Sequence, residues 1–177
     1  MSDRRYWIGF NKVKGIGPAK VRALLDHFGD LESAWNASRD ALVEAGLDRR
    51  ALESLEAARE GIDLDRVMAE LEQAGINTLC WEDADYPRRL REIDSPPPLL
   101  YLRGSLADSD DWAVAIVGTR RATSYGKEVA RELASALASA GVTVVSGLAR
   151  GIDAIAHVAA LESGGRTIAV LGSGLDK

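Results

Sequence analysis

The chain has a single cysteine, Cys80, and two histidines, His27 and His157. One thiol excludes an internal disulfide and any multi-cysteine metal centre, and two imidazoles leave no ligand set for structural zinc. Cys80 lies in the apolar run 76–81, where a buried thiol is expected. Long hydrophobic runs are also missing. None approaches membrane-spanning length, and the start MSDRRYWIGF is basic without the apolar stretch of a signal peptide. These absences predict a cytoplasmic, reduced protein with no membrane contact, no metal and no cofactor. Basic charge is not in excess either: 22 Lys and Arg face 27 Asp and Glu, a net charge of −5. That balance excludes attraction of a polyanion by bulk charge alone.

The distribution is nevertheless uneven. Residues 1–22 carry six Lys or Arg against one Asp, residues 23–110 carry nine bases against twenty acids, and residues 111–177 carry seven bases against six acids. An anionic partner is therefore expected at the first or the last segment. At 177 residues and 46% hydrophobic the chain can bury a core, and two domains are expected, 1–75 and 76–177.

Residues 4 to about 74 read as short helices separated by glycine. Val21, Leu24, Leu25 and Phe28 recur at helical spacing after Pro18, which suits a first turn, and Gly29 stops that helix. Further helices are expected at 31–37, 39–45, 48–60 and 63–74, the last closed by Gly75. A strand at 76–81, a short helix after Pro87, an extended Ser95-Pro96-Pro97-Pro98 connector and a strand at 99–103 follow; these strands are expected to extend a neighbouring sheet. Residues 105–111 read as a loop.

From Val114 the pattern changes. Short apolar runs (VAIV, VTVVS, TIAVL) alternate with alanine-rich helical stretches at 127–140 and 152–163. Such alternation predicts an α/β fold, parallel strands joined by right-handed crossovers in a Rossmann-like sheet. Three strands form half of such a sheet, and the natural protein is expected to continue. Ligands of open parallel sheets bind outside the strand carboxyl ends. Here those ends read Gly118-Thr119-Arg120-Arg121, Ser146-Gly147 and Gly172-Ser173-Gly174, with Arg150-Gly151 opening the second helix. Glycine allows close approach, helix-start amides donate to anionic oxygens, and arginine offers a bidentate fork, so the three turns are expected to line one phosphate groove with Arg120 as its leading residue. Each glycine on its own also suits a tight strand-to-helix turn. Asp153 is expected to stabilise a turn or the helix dipole, and His157 to pack in the core. Tyr125 is a candidate for base stacking in this part, though as a packing residue it needs no nucleic acid. A dinucleotide enzyme is disfavoured, because GTRRATSYG is not G-x-G-x-x-G and Ser146-Gly147 stands where a ribose-binding acid belongs.

In the helical part, Lys14-Gly15-Ile16-Gly17-Pro18-Ala19-Lys20 has the form of a helix-hairpin-helix turn. Its amides, with Lys12, Lys14, Lys20 and Arg22, would face a DNA phosphate, though a packing connector has the same composition.

IVGTRRATSYG, VVSGLARGIDAIAHVAAL and GGRTIAVLGSGLD resemble the core of the DNA-processing protein A family (DprA, also called Smf), and DADYPRRLREIDSPPPLLYLRG resembles the segment preceding it. The helical part resembles that family's sterile-alpha-motif-like domain. The resemblance implies a non-enzymatic, cytoplasmic protein that binds single-stranded DNA in natural transformation and recombination, protects incoming DNA and helps load RecA, with a homodimer in the full-length protein. It places DNA contacts on Gly118, Thr119 and Arg120, on the turn from Ser146 to Asp153, and on the turn from Gly172 to Asp176. The rival from another class is a nucleotide-binding or nucleotide-processing enzyme akin to the phosphoribohydrolases; its Pro-Gly-Gly loop and neighbouring acid are not found. A protein-binding scaffold is the third reading.

Overall fold

The computed structural model describes residues 3–175 and divides into two compact units, Met1–Gly104 and Ser105–Lys177. In the first unit α1 (Arg4–Lys12), α2 (Pro18–Phe28), α3 (Leu31–Asn36), α4 (Arg39–Glu44), α5 (Arg49–Gly61) and α6 (Leu64–Gln73) follow one another through short turns. Asp3, Asp30, Ser38, Asp48 and Asp63 each accept a first-turn amide on their side chain, satisfying donors the helix starts would leave open. Pro18 stands at the start of α2, and Gly29 closes it at φ 82°, a conformation that costs glycine nothing.

The apolar faces of these helices meet around Trp7, Ile8, Phe10, Leu24, Trp35, Leu52 and Leu55. Phe10 and Trp35 pack edge to face at 5.2 Å. Gly9 lets Trp35 approach α1, because a Cβ there would lie 2.8 Å from the indole. β1 (Asn77–Cys80) and β2 (Leu99–Leu102), with α7 (Arg88–Arg91) between them, complete the unit. The strands expected to extend a neighbouring sheet form an antiparallel two-stranded sheet of their own. Cys80 and Leu99 pack into the helical core, and for that reason the units divide after Gly104 although the change to strand begins near residue 76. Cys80 is the buried free thiol expected, with burial pushing its pKa up.

The second unit runs from a 3₁₀ turn at Asp108–Asp111, within the expected loop, through β3 (Ala113–Ala115), α8 (Ser124–Ser139), β4 (Thr143–Ser146) and α9 (Ile152–Glu162) to β5 (Thr167–Ala169). The strands are parallel in the order β3-β4-β5. Successive right-handed crossovers in one direction place α8 and α9 on the same face. The helices pack on each other and on β4 through Ala134, Ala138, Ala156, Ala159, Ala160 and Val144. Alanine lets the helices lie close, and Gly165 closes against Ala138, where a Cβ would come within 2.5 Å. α8 begins earlier than expected because Thr123 caps it, its hydroxyl accepting from Gly126 N at 3.1 Å.

At the amino ends of the strands, Arg166 grips the Asp110 carboxylate with two nitrogens at 2.9 and 2.8 Å, and the Thr143 hydroxyl donates to it at 2.8 Å. This latch holds the segment before β3 against the sheet, and the Arg166 guanidinium keeps the Asp110 pKa down at about 2. His157 is buried as expected. The Thr167 hydroxyl donates to Val144 O at 2.8 Å, so His157 Nδ1 carries the proton and donates to Thr167 Oγ1 at 2.6 Å. Burial lowers its pKa. Among the described residues there is no cluster of three metal-binding side chains, and no helix is long and apolar enough to cross a membrane.

Candidate anion-binding site

At the carboxyl ends of β3 and β4, Arg120, Arg121, Ala149 and Arg150 line an open cleft of about 500 Å³. Arg120 and Arg121 stand in the loop between β3 and α8, beyond the strand's last ladder position at Ala115, and Arg150 stands in the loop between β4 and α9. All three side chains are exposed, and none has a hydrogen bond or ion pair among the described residues. A trio of guanidinium groups converging without an acid leaves its donors open to an anion from outside.

Beneath the cleft the turns are fastened to each other. The Asp153 carboxylate, 6% exposed in the first turn of α9, accepts from Gly118 N at 3.3 Å on one oxygen and from Gly147 N at 3.1 Å on the other. It is the turn stabiliser expected, and it joins the ends of two strands. Gly151 adopts φ 90° and lies so close to the β3 turn that a Cβ would sit 2.8 Å from Arg120 Cα. Ile152 N donates to Thr119 O at 3.3 Å, locking the loop onto the same turn. Leu148 sits at φ 55° with its side chain exposed, a left-handed conformation that costs a non-glycine residue about 1 kcal/mol.

Of the peptide amides expected to form a cradle at these strand ends, two glycine amides are already taken from within. The amides of Gly118 and Gly147 belong to Asp153, and the Ser146 hydroxyl donates to Ile116 O at 2.6 Å within the sheet. Thr119 is exposed, but its hydroxyl accepts from Arg121 N at 3.2 Å. Gly118, Gly147 and Gly151 therefore act by allowing close packing, while the arginines carry the open donors. Gly172, Ser173 and Gly174 are exposed and do not line this cleft, and Asp176 lies outside the described residues.

In the helical unit the hairpin turn forms between α1 and α2, with Gly15 at φ 89° and Gly17 as the uncapped residue before α2. Lys14 is exposed and unpaired. Lys20, expected beside it as a phosphate contact, instead donates to Gly15 O at 2.9 Å and pairs with Asp48 at 2.6 Å, which staples the turn. Arg22 stacks over Trp81 at 4.9 Å. Local pattern placed these cations on the right turn, but their acid and aromatic partners come from distant sequence.

A parallel α/β sheet of Rossmann type, preceded by a helical unit with a helix-hairpin-helix turn, defines a class of two-unit α/β proteins. The sequence model of the family described as DNA recombination-mediator protein A matches residues 77–177, and that of the SAM-like helix-hairpin-helix tandem matches residues 10–58. The chain belongs to the DNA recombination-mediator protein A family. Protein Smf of Synechocystis sp. is 43% identical over 180 residues, covering 99% of this chain and 45% of that protein. The chain thus spans less than half the length of that relative. The X-ray structure of DNA processing protein A from Streptococcus pneumoniae matches with a TM-score of 0.78 at 30% identity, over 100% of this chain and 60% of that one. A structure addressing the single-stranded DNA binding mode of DNA processing protein A from Helicobacter pylori matches with a TM-score of 0.50 at 38% identity, over 58% of this chain and 45% of that one.

Proposed function

We propose that this chain binds single-stranded DNA through its phosphates, using Arg120, Arg121 and Arg150. It does so as part of a cytoplasmic protein that shields incoming DNA in natural transformation and recombination and helps RecA load onto it. The whole protein works as a homodimer and by binding rather than by catalysis. The observation that carries this reading is the cleft of three exposed guanidinium groups without an acid partner. Family membership and the single-stranded DNA bound by the Helicobacter pylori relative support the choice of polyanion. The one buried carboxylate beneath the cleft, Asp153, already accepts two amides, which disfavours it as the catalytic acid or base of a nucleotide-processing enzyme. Lys14, Gly15 and Gly17 of the hairpin form a second, weaker contact.

Guanidinium contacts to phosphate confer little sequence preference and strong salt dependence. For three phosphates neutralised on a single strand, log K should fall against log salt with a slope of about −2, at roughly −0.7 per phosphate. Arg120→Ala should weaken binding of an oligothymidylate about tenfold at low salt and flatten that slope by about 0.7. Fluorescence anisotropy across a salt series measures both. Affinity and slope equal to those of the parent would sink the reading.

A further inference from the structure

The geometry points to Asp153 as the residue that decides which phosphates the cleft accepts: its carboxylate occupies, from inside the fold, the amide pair of Gly118 and Gly147 that a nucleotide phosphate would otherwise take, leaving the exposed guanidinium groups as the charged donors for the ligand. This deepens the phosphate-binding reading above and rests on it. It adds selection against free nucleotides.

In open parallel sheets a nucleotide phosphate sits at a strand carboxyl end, on glycine-turn amides and on the amino end of the next helix. In this chain the two strand-end glycine amides, and three amides at the helix start, are occupied from within. Gly118 N and Gly147 N donate to the two Asp153 oxygens at 3.3 and 3.1 Å. At the start of α9, Ile152 N donates to Thr119 O at 3.3 Å, Ala154 N to Ala149 O at 3.1 Å and Ile155 N to Gly151 O at 3.2 Å. The fit is close: a Cβ on Gly147 would lie 2.9 Å from Asp153 Oδ2, so only glycine leaves room for the carboxylate. The internal anion satisfies the amides and, being negatively charged, repels a phosphate that approaches them.

A single phosphate monoester then binds mainly to exposed guanidinium groups, and an exposed ion pair contributes no more than about 1 kcal/mol. A strand of linked phosphates engages several of these groups together, and the contacts after the first are intramolecular. Removing the amides from play thus favours a polymer over a monomer without any contact to a base.

Two measurements test this, with thymidine monophosphate as the probe. In the full chain, Asp153→Ala frees both amides and removes the repelling charge. The variant should bind the monophosphate at least about tenfold more tightly than the parent by calorimetry. A variant that folds, as judged by circular dichroism, and binds no better overturns the proposal. The second measurement needs no substitution and decides alone if the variant does not fold. In the native chain at neutral pH, millimolar monophosphate should leave the Gly118 and Gly147 amide resonances in place, and saturable shifts of those two amides overturn it. Loss of the DNA reading through Arg120→Ala would leave the state of the amides unchanged, so the two failures are distinguishable.

Discussion

The two units differ in how they treat their cations and how they fill their cores. In the helical unit Arg4 pairs with Asp83, Arg5 with Asp65, Lys20 with Asp48 and Arg39 with Glu56. In the α/β unit Arg120, Arg121 and Arg150 face open space. The helical core is built on Trp7, Phe10 and Trp35, while the α/β core is built on alanines around Val144. Among the described residues, nine of the exposed large hydrophobics belong to the α/β unit, Val117 and Val170 among them, against two in the helical unit. Val117 and Val170 stand just past the ends of β3 and β5 and are exposed, whereas parallel sheets normally bury both faces. The contrast separates a unit that pairs most of its arginines and buries its large apolar side chains from one that leaves three arginines and most of the exposed apolar side chains open.

The largest expected effect tests the cores. Phe10→Ala removes a fully buried ring wedged against Trp35 and should cost about 3–5 kcal/mol. Val144→Ala, at the centre of the alanine core, should cost about 2 kcal/mol, because fewer methyl groups are lost. Urea denaturation followed by tryptophan fluorescence reports the first unit through Trp7, Trp35 and Trp81, and far-ultraviolet circular dichroism reports both. Equal costs would break the comparison.

A smaller effect isolates the latch of the α/β unit. The Asp110 pKa is held at about 2 against an ordinary value of 3.8. The folded value is the lower one, so its stabilisation is complete above pH 4 and is lost as pH falls from about 4 to about 2. Arg166 is 44% exposed, so solvent screening reduces the contribution to about 1–2 kcal/mol. Asp110→Asn should lose that amount at pH 7, and its deficit against the parent should vanish by about pH 2. Denaturant titrations of both proteins at several pH values measure the difference. A deficit independent of pH would show that Asp110 acts by shape and hydrogen bonding rather than by charge.

Features set by neighbouring residues were legible in the sequence. Pro18 and Gly29 bound α2, Gly75 follows α6, and alternating runs mark parallel strands with helices between them, because caps, turns and periodicity act over a few positions. Arg120, expected to follow a strand directly, stands instead in the turn beyond β3, which ends at Ala115. What escaped notice depends on chain closure. Asp153 meets Gly118 from 35 positions away, Lys20 meets Asp48 from 28 and Arg166 meets Asp110 from 56, and no local pattern reports such partners. The amides of Gly118 and Gly147 depart from expectation for that reason: glycine turns advertise available donors, and only the folded chain shows which have been taken. The start of α8 was the exception, since Thr123 ahead of a helical run is a cap signal within local reach.

The smallest expected effect sharpens the contrast between cations. Arg39 and Glu56 are both nearly half exposed and pair at 2.6 Å. Solvent and salt weaken such a pair, and holding two long side chains in place offsets much of what remains. Arg39→Ala should therefore change stability by less than about 1 kcal/mol, and less still at high salt. It should leave both the affinity for single-stranded DNA and the salt slope at their parent values, because a guanidinium already facing a carboxylate displaces few counterions from a phosphate. Arg120→Ala is expected to do the reverse, with little effect on stability and a clear effect on the slope. Should Arg39→Ala flatten the slope as much as Arg120→Ala does, DNA would be responding to positive charge anywhere on the chain, and pairing would not be what distinguishes the two units.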